Sequence, residues 1–167
     1  MPAVPEVTVD VHTEVRELRQ SDADEIARLE ADARDATQFQ RGGLAHLAET
    51  PAVGDWSRLV DDPAHPTWVA TIDDVPVGYL ELVIDGAIAR VRQVWVHPDA
   101  RELGFGDDML AAALGRARAQ GCQVLEGAAL PGDRETKNLY ERAGITARKL
   151  IVSTRLSDPS SSADASR

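Results

Sequence analysis

Val94-Trp-Val-His-Pro-Asp-Ala-Arg101-Glu-Leu-Gly104-Phe-Gly106-Asp-Asp-Met-Leu110 is the stretch whose reading decides the fold. Val94 to Val96 is β-branched and aromatic and reads as the end of a strand. Gly104 and Gly106 close a loop behind it. Leu110, Ala113, Leu114 and Ala117 then give the i, i+3, i+4, i+7 stripe of a helix packed on a sheet. Strand end, glycine loop and helix start therefore meet at one point. Unpaired backbone N–H groups and the positive end of the helix dipole collect there, an arrangement that binds phosphate or pyrophosphate.

Upstream, Glu14 to Leu18 alternates as a short strand, and Ser21-Asp-Ala-Asp24-Glu25 supplies a cap and early acids for a helix begun by Ile26 and Leu29. Gly42-Gly43 breaks that helix. A second helical piece, Leu44 to Ala48, leads into a loop with Pro51, Gly54, Pro63 and Pro66. A three-strand meander follows, Thr67–Ile72, Val77–Ile84 and Ala87–Val96, turned at Asp73-Asp74 and Asp85-Gly86. In its middle strand Leu80, Leu82 and Ile84 share one face, and Tyr79, Glu81 and Val83 the other. The third strand changes phase: Ala87, Ala89 and Val91 are apolar at odd positions, Val94 and Val96 at even ones. A β-bulge near Arg92-Gln93 produces such a slip. A strand end buried on both faces, with Trp95 apolar too, produces it equally. Downstream, Gly121 ends the helix, Gln123–Leu130 reads as a strand, and Pro131-Gly132 turns the chain. Asp133 then opens a helix of about ten residues stopped by Gly144, and Ala147–Leu156 is expected to close the domain as a strand. The order predicts a mixed α/β (α+β) fold, helices flanking a mostly antiparallel sheet.

With 167 residues, 43% of them hydrophobic, the chain suits one domain with its own core. Residues 1–13 carry two prolines and no periodicity and read as a flexible arm. The folded unit is expected over 14–156, and 157–167, small and polar, as a disordered tail. No apolar run approaches the length of a membrane span and the start lacks a signal-peptide pattern, so a cytoplasmic protein without membrane contact is expected. Cys122 is the single cysteine, and His12, His46, His65 and His97 have no ligand spacing, so no metal site is expected. The net charge of −10 argues against nucleic acid as partner and mildly favours cationic ones such as amines.

Three phosphate-binding patterns compete for the glycine loop. A P-loop requires Lys-Ser or Lys-Thr after its last glycine, where this chain has Asp107-Asp108. The dinucleotide fingerprint requires a third glycine, where this chain has Met109, and belongs in a first parallel βαβ unit rather than after a meander. The third pattern fits. Arg101-Glu-Leu-Gly104-Phe-Gly106, after Val94-Trp-Val-His-Pro98, resembles motif A of the Gcn5-related N-acetyltransferase (GNAT) family. Asp133-Arg-Glu-Thr-Lys-Asn138-Leu-Tyr140-Glu-Arg-Ala-Gly144 resembles that family's motif B, and the element order is similar over roughly 140 residues.

The resemblance implies acetyl-CoA as cosubstrate and an amine-bearing acceptor, small molecule or protein. By position it implies that Val94, Trp95 and Val96 pair with the pantetheine arm. Arg101, Glu102, Leu103, Gly104, Phe105, Gly106 and Asp107 would hold the pyrophosphate, and Asp133 and Asn138 would lie at the cofactor. Tyr140 matches the tyrosine that assists departure of the CoA sulfur. The amine must lose a proton, and Glu126 and Glu81 are the carboxylates expected to serve as base. Direct attack in a ternary complex is the implied course, with a catalytically inactive CoA-binding module of the same fold as the alternative. Two departures stand out. Asp107 and Asp108 occupy a helix start where their charge opposes an incoming diphosphate, and Asp133 replaces the usual Asn. The short C-terminus is expected to narrow the acceptor side or leave a sheet edge that a second subunit covers, giving a homodimer.

Overall fold

Five strands pair in chain order, β1 (Thr13–Glu17), β2 (Thr67–Ile72), β3 (Val75–Asp85), β4 (Ile88–Val96) and β5 (Val124–Gly127), in a computed structural model that describes residues 9–154 and 156. The start of the expected arm and all of the expected tail lie outside the described residues. Neighbouring strands are antiparallel except β4 and β5, which run parallel because α3 (Phe105–Ala119) crosses over between them. Helices α1 (Ala23–Gln38) and α2 (Gly43–Glu49) precede β2, and α4 (Arg134–Arg142) follows β5. This is the mixed, mostly antiparallel sheet that the element order predicts.

The period-two alternation of the strands sorts the core into two layers. Trp68, Ala70, Leu80, Leu82, Ala89 and Val91 pack with Phe105, Met109, Leu110 and Ala113 of α3 and with Leu139 and Tyr140 of α4. Val69 and Tyr79 face the other way, onto Ile26 and Leu29 of α1 and Trp56. Trp56 and Tyr79 meet edge-on, ring centroids 5.1 Å apart. At the start of α1, Arg16 of β1 makes a two-pronged contact with the buried Asp22 carboxylate, at 2.7 and 3.0 Å. Burial raises the Asp22 pKa, but the Arg16 guanidinium and the Arg19 amide outweigh it and hold the carboxyl below its ordinary value.

The change of phase in β4 is a bulge. Glu81 lies opposite Gln93 and Leu82 opposite Val91, which leaves Arg92 surplus. Past it, Val94 and Val96 pack on the α3 side, and Trp95 packs on the α1 side, so the strand end is also covered on both faces. Pairing with β5 covers only Ile88 to Val91 and ends where the bulge begins. From Arg92 to Val96 the outer edge of β4 stands free of β5, and the two strands part.

Two expectations fail at the C-terminal side. The strand predicted over Gln123–Leu130 is confined to Val124–Gly127, and the one predicted over Ala147–Leu156 does not form among the described residues. Leu150, Ile151 and Val152 are 79%, 71% and 85% exposed. A strand laid on a four-residue edge, with no further strand to flank it, buries too little apolar surface to offset its ordering entropy. Among the described residues, Ile145 is the last apolar one packed on the core.

Candidate active site

The parting of β4 from β5 opens a cleft of about 740 Å³, floored by Val91 to Val96. α1 and α2 wall it on one side, and the α3 and α4 starts on the other. Of the positions expected to hold a cofactor, Val94, Trp95, Val96, Arg101, Glu102, Gly104, Phe105, Gly106, Asp107, Asp133 and Asn138 line it, as does Tyr140. Leu103 does not; its side chain is exposed outside the cleft.

At the head of α3 the backbone carries the geometry. Glu102 and Gly104 both have positive φ, +68° and +84°. Glycine relieves the strain of that φ at Gly104, where an L side chain would be disfavoured by the backbone although the space around it is open. After Arg101, whose amide donates to the Pro98 carbonyl, the amides of Glu102 to Asp107 find no backbone carbonyl among the described residues; the ladder resumes with Asp108 donating to Gly104 at 3.0 Å. Six successive donors thus stand without a backbone partner at a helix N-terminus that borders the cleft.

Charge around these amides is balanced by distant partners. Arg142 of α4 donates to Asp107 at 2.9 Å, so part of the acid at the helix start is neutralised. Arg101 donates from Nε to the Val96 carbonyl at 3.0 Å, pairs with Glu135 at 2.9 Å, and stacks over Trp95 with its carbon 4.7 Å from the ring centroid. It fastens the loop to β4 and α4 rather than presenting a free charge. Asp133 caps α4, accepting from the Thr136 amide and hydroxyl at 3.0 and 2.6 Å.

Tyr140 lies where the two strands separate. Its ring rests on Gly127, the last residue of β5; a Cβ built on that glycine would stand 2.5 Å from Tyr140 Cζ. Only glycine admits the ring there. Gly127 is a site residue that the sequence reading missed, although a glycine inside a strand is itself a signal of close approach. Burial, then the Asp133 carboxylate, push the Tyr140 pKa well above its ordinary value. The phenol therefore stays protonated at any working pH.

Neither expected base reaches this cleft. Glu126 is half-exposed and held by Arg90 Nε at 2.6 Å, and it lies outside the cleft lining. β5 ends one residue later at Gly127, which meets Tyr140, while Glu126 stands opposite Arg90 of β4 and its carboxylate stays with that cation. Glu81 is fully buried beneath the floor. It accepts from Arg92 at 3.0 and 3.1 Å, from Gln93 Nε2 at 3.1 Å, and meets His65 Nδ1 at 3.2 Å. The bulge makes this possible, since it turns both Arg92 and Gln93 toward the Glu81 side. A carboxylate so engaged is a structural counter-charge, not a free proton acceptor.

The sequence matches the model of the acetyltransferase (GNAT) family over residues 24–145. A comparison with curated proteins returned no match. Among solved structures, AAC(6')-Iy in complex with the bisubstrate analogue CoA-S-monomethyl-acetylneamine is similar at 15% identity and a TM-score of 0.65, covering 88% of this chain and 99% of that one. The ribosomal-protein-alanine N-acetyltransferase of Brucella melitensis biovar Abortus 2308 is similar at 18% identity and 0.63, covering 87% and 100%. An acetyltransferase of Trypanosoma brucei is similar at 21% and 0.62, again covering 87% and 100%. These likenesses establish the fold. With a family match that runs from α1 through α4 and takes in the glycine loop and Tyr140, the chain belongs to the GNAT acetyltransferase family, whose cosubstrate is acetyl-CoA.

Proposed function

We propose that this protein transfers an acetyl group from acetyl-CoA to a primary amine by direct attack in a ternary complex. The observation that carries the reading is the run of unspent amides from Glu102 to Asp107 at one end of a cleft whose other landmark is the buried hydroxyl-bearing ring of Tyr140. The residues present fit the cosubstrate. The amides would hold its pyrophosphate, the free edge of β4 from Arg92 to Val96 would pair with its pantetheine arm, and Asn138 and Asp133 would border it.

Bound acetyl-CoA supplies an acetyl group already activated as a thioester. The chain's own groups do the rest. A backbone N–H near Val96, on the free edge of β4, would stabilise the charge that builds on the thioester oxygen. Tyr140, kept protonated by burial, donates its hydroxyl hydrogen toward the departing sulfur. With Glu126 and Glu81 both outside the cleft lining and committed to arginines, the amine proton would pass to water in the open cleft. No cysteine lies in the cleft lining to form a covalent intermediate.

Titration with acetyl-CoA by calorimetry, followed by turnover of an amine panel by wild type and Tyr140→Phe, tests this. The expected result is binding, transfer, and a fall in kcat of Tyr140→Phe on the order of a hundredfold, within the usual range for a proton donor, with little change in acetyl-CoA affinity. Binding without transfer would identify a CoA-binding module instead.

A further inference from the structure

The α1 and α2 side of the cleft, opposite the bare amides of the α3 start, has a charge of its own, and on the transferase reading it is the side left for the acceptor amine. Every acid that lines the cleft, Glu102, Asp107, Asp133 and Glu135, belongs to the α3 and α4 side. The α1 and α2 side contributes Arg34 and His46, and the floor contributes Arg92, with no Asp or Glu among the lining residues there. Two guanidiniums are drawn to the end of α2 by consecutive carbonyls: Arg34 donates to Thr50 at 2.7 Å and Arg92 to Pro51 at 2.7 Å. His46 sits one turn back, its carbonyl accepting from the Thr50 amide.

Arg92 has its counter-charge in Glu81. Arg34 has no carboxylate within ion-pair distance among the described residues. The nearby Glu30 is already satisfied by the Val53 amide, Trp56 Nε1 and Gln93 Nε2, each at 2.9 Å. Two further groups of the lining are short of partners: the buried Gln40 Oε1 and Trp95 Nε1 make no hydrogen bond. The half-buried arginine without a counter-charge and the buried indole donor suit an anionic group, and the buried Gln40 acceptor suits an N–H donor on the same ligand. A polycation would find no carboxylate here.

Resting on the transferase reading above, we propose that the acceptor is an amine that also carries a carboxylate, as free amino acids do, and that Arg34 recognises that carboxylate. The guanidinium fork presents paired N–H donors to a carboxylate, and only NH1 is engaged by Thr50. The proposal inverts what the net charge of the whole chain suggests, because the acids lie elsewhere.

The test compares matched amines that differ by the carboxylate: phenylalanine with phenethylamine and lysine with cadaverine, each at saturating acetyl-CoA. Wild type should favour the carboxylate-bearing member in kcat/KM by on the order of tenfold to a hundredfold, the span of a charged hydrogen bond. Arg34→Met should collapse that ratio through KM for the acceptor, and Arg34→Lys should restore part of it. A thermal melt and the KM for acetyl-CoA show whether Arg34→Met has merely loosened α2; if it has, the ratio in Arg34→Lys against wild type decides. Equal use of both members, preference for the decarboxylated one, or an Arg34→Met enzyme that keeps the wild-type ratio overturns this assignment and leaves the transferase reading standing. No transfer to any of the four, with transfer to another amine of the wider panel, overturns this assignment alone; no transfer to any amine overturns both.

Discussion

Tyr140 and Gly127 act as one unit, although they lie on different elements. The ring occupies the volume that any side chain on Gly127 would need. Gly127→Ala should therefore displace the phenol, lower kcat as Tyr140→Phe does, and destabilise the fold by about 1–3 kcal/mol, the ordinary cost of overpacking; turnover and a denaturant melt read the two effects separately. At this scale the sequence was partly legible. The glycine loop could be read because a positive φ and bare amides are local demands that local residues meet. The roles of carboxylates could not, since what occupies each one comes from far along the chain: Arg90 for Glu126, Arg142 for Asp107, Arg92 for Glu81.

At the scale of elements, the single extra residue in β4 separates two tasks of one strand. Before Arg92 the strand pairs with β5; after it, the edge is free. Removing Arg92 leaves Val91 and Val94 on the α3 side and Gln93 on the α1 side, so the core faces survive. Without the bulge the strand runs straight and its pairing with β5 is expected to extend, narrowing the slot. Deletion of Arg92 should give a folded protein, with a lower Tm because Glu81 loses its main cation, and with acetyl-CoA binding lost by calorimetry. Arg92→Met keeps the length and should keep the binding. The slip in apolar phase made this bulge visible in the sequence. The strand expected over Ala147–Leu156 was misread for the opposite reason: its apolar content is local, but a strand exists only where an edge can take it, and β5 offers four residues.

For the whole molecule, stability in alkali follows from the two buried phenols. Burial, and for Tyr79 also Glu30 and Glu81, raises both tyrosine pKa values in the folded state. The folded form therefore holds these protons more tightly than the unfolded form, which releases them near pH ~10. Their contribution is complete below that pH and is lost as pH rises above it. A melting series should show Tm falling beyond pH ~10, less steeply in Tyr140→Phe. The two-layer organisation behind this burial was legible in the alternation of β3, where Leu80 and Leu82 go one way and Tyr79 and Glu81 the other.

Gln93 shows how a residue can border a substrate and still say nothing to it. Its amide nitrogen gives one hydrogen to Glu30 at 2.9 Å and the other to Glu81 at 3.1 Å, while its oxygen receives the Tyr79 hydroxyl at 3.2 Å. Rotating the amide by half a turn would set its oxygen against two carboxylates, so its orientation is locked. Both hydrogens are consumed, and what the cleft meets is an inert shoulder. Discrimination among acceptors is thereby delegated to neighbours whose polar atoms are still uncommitted.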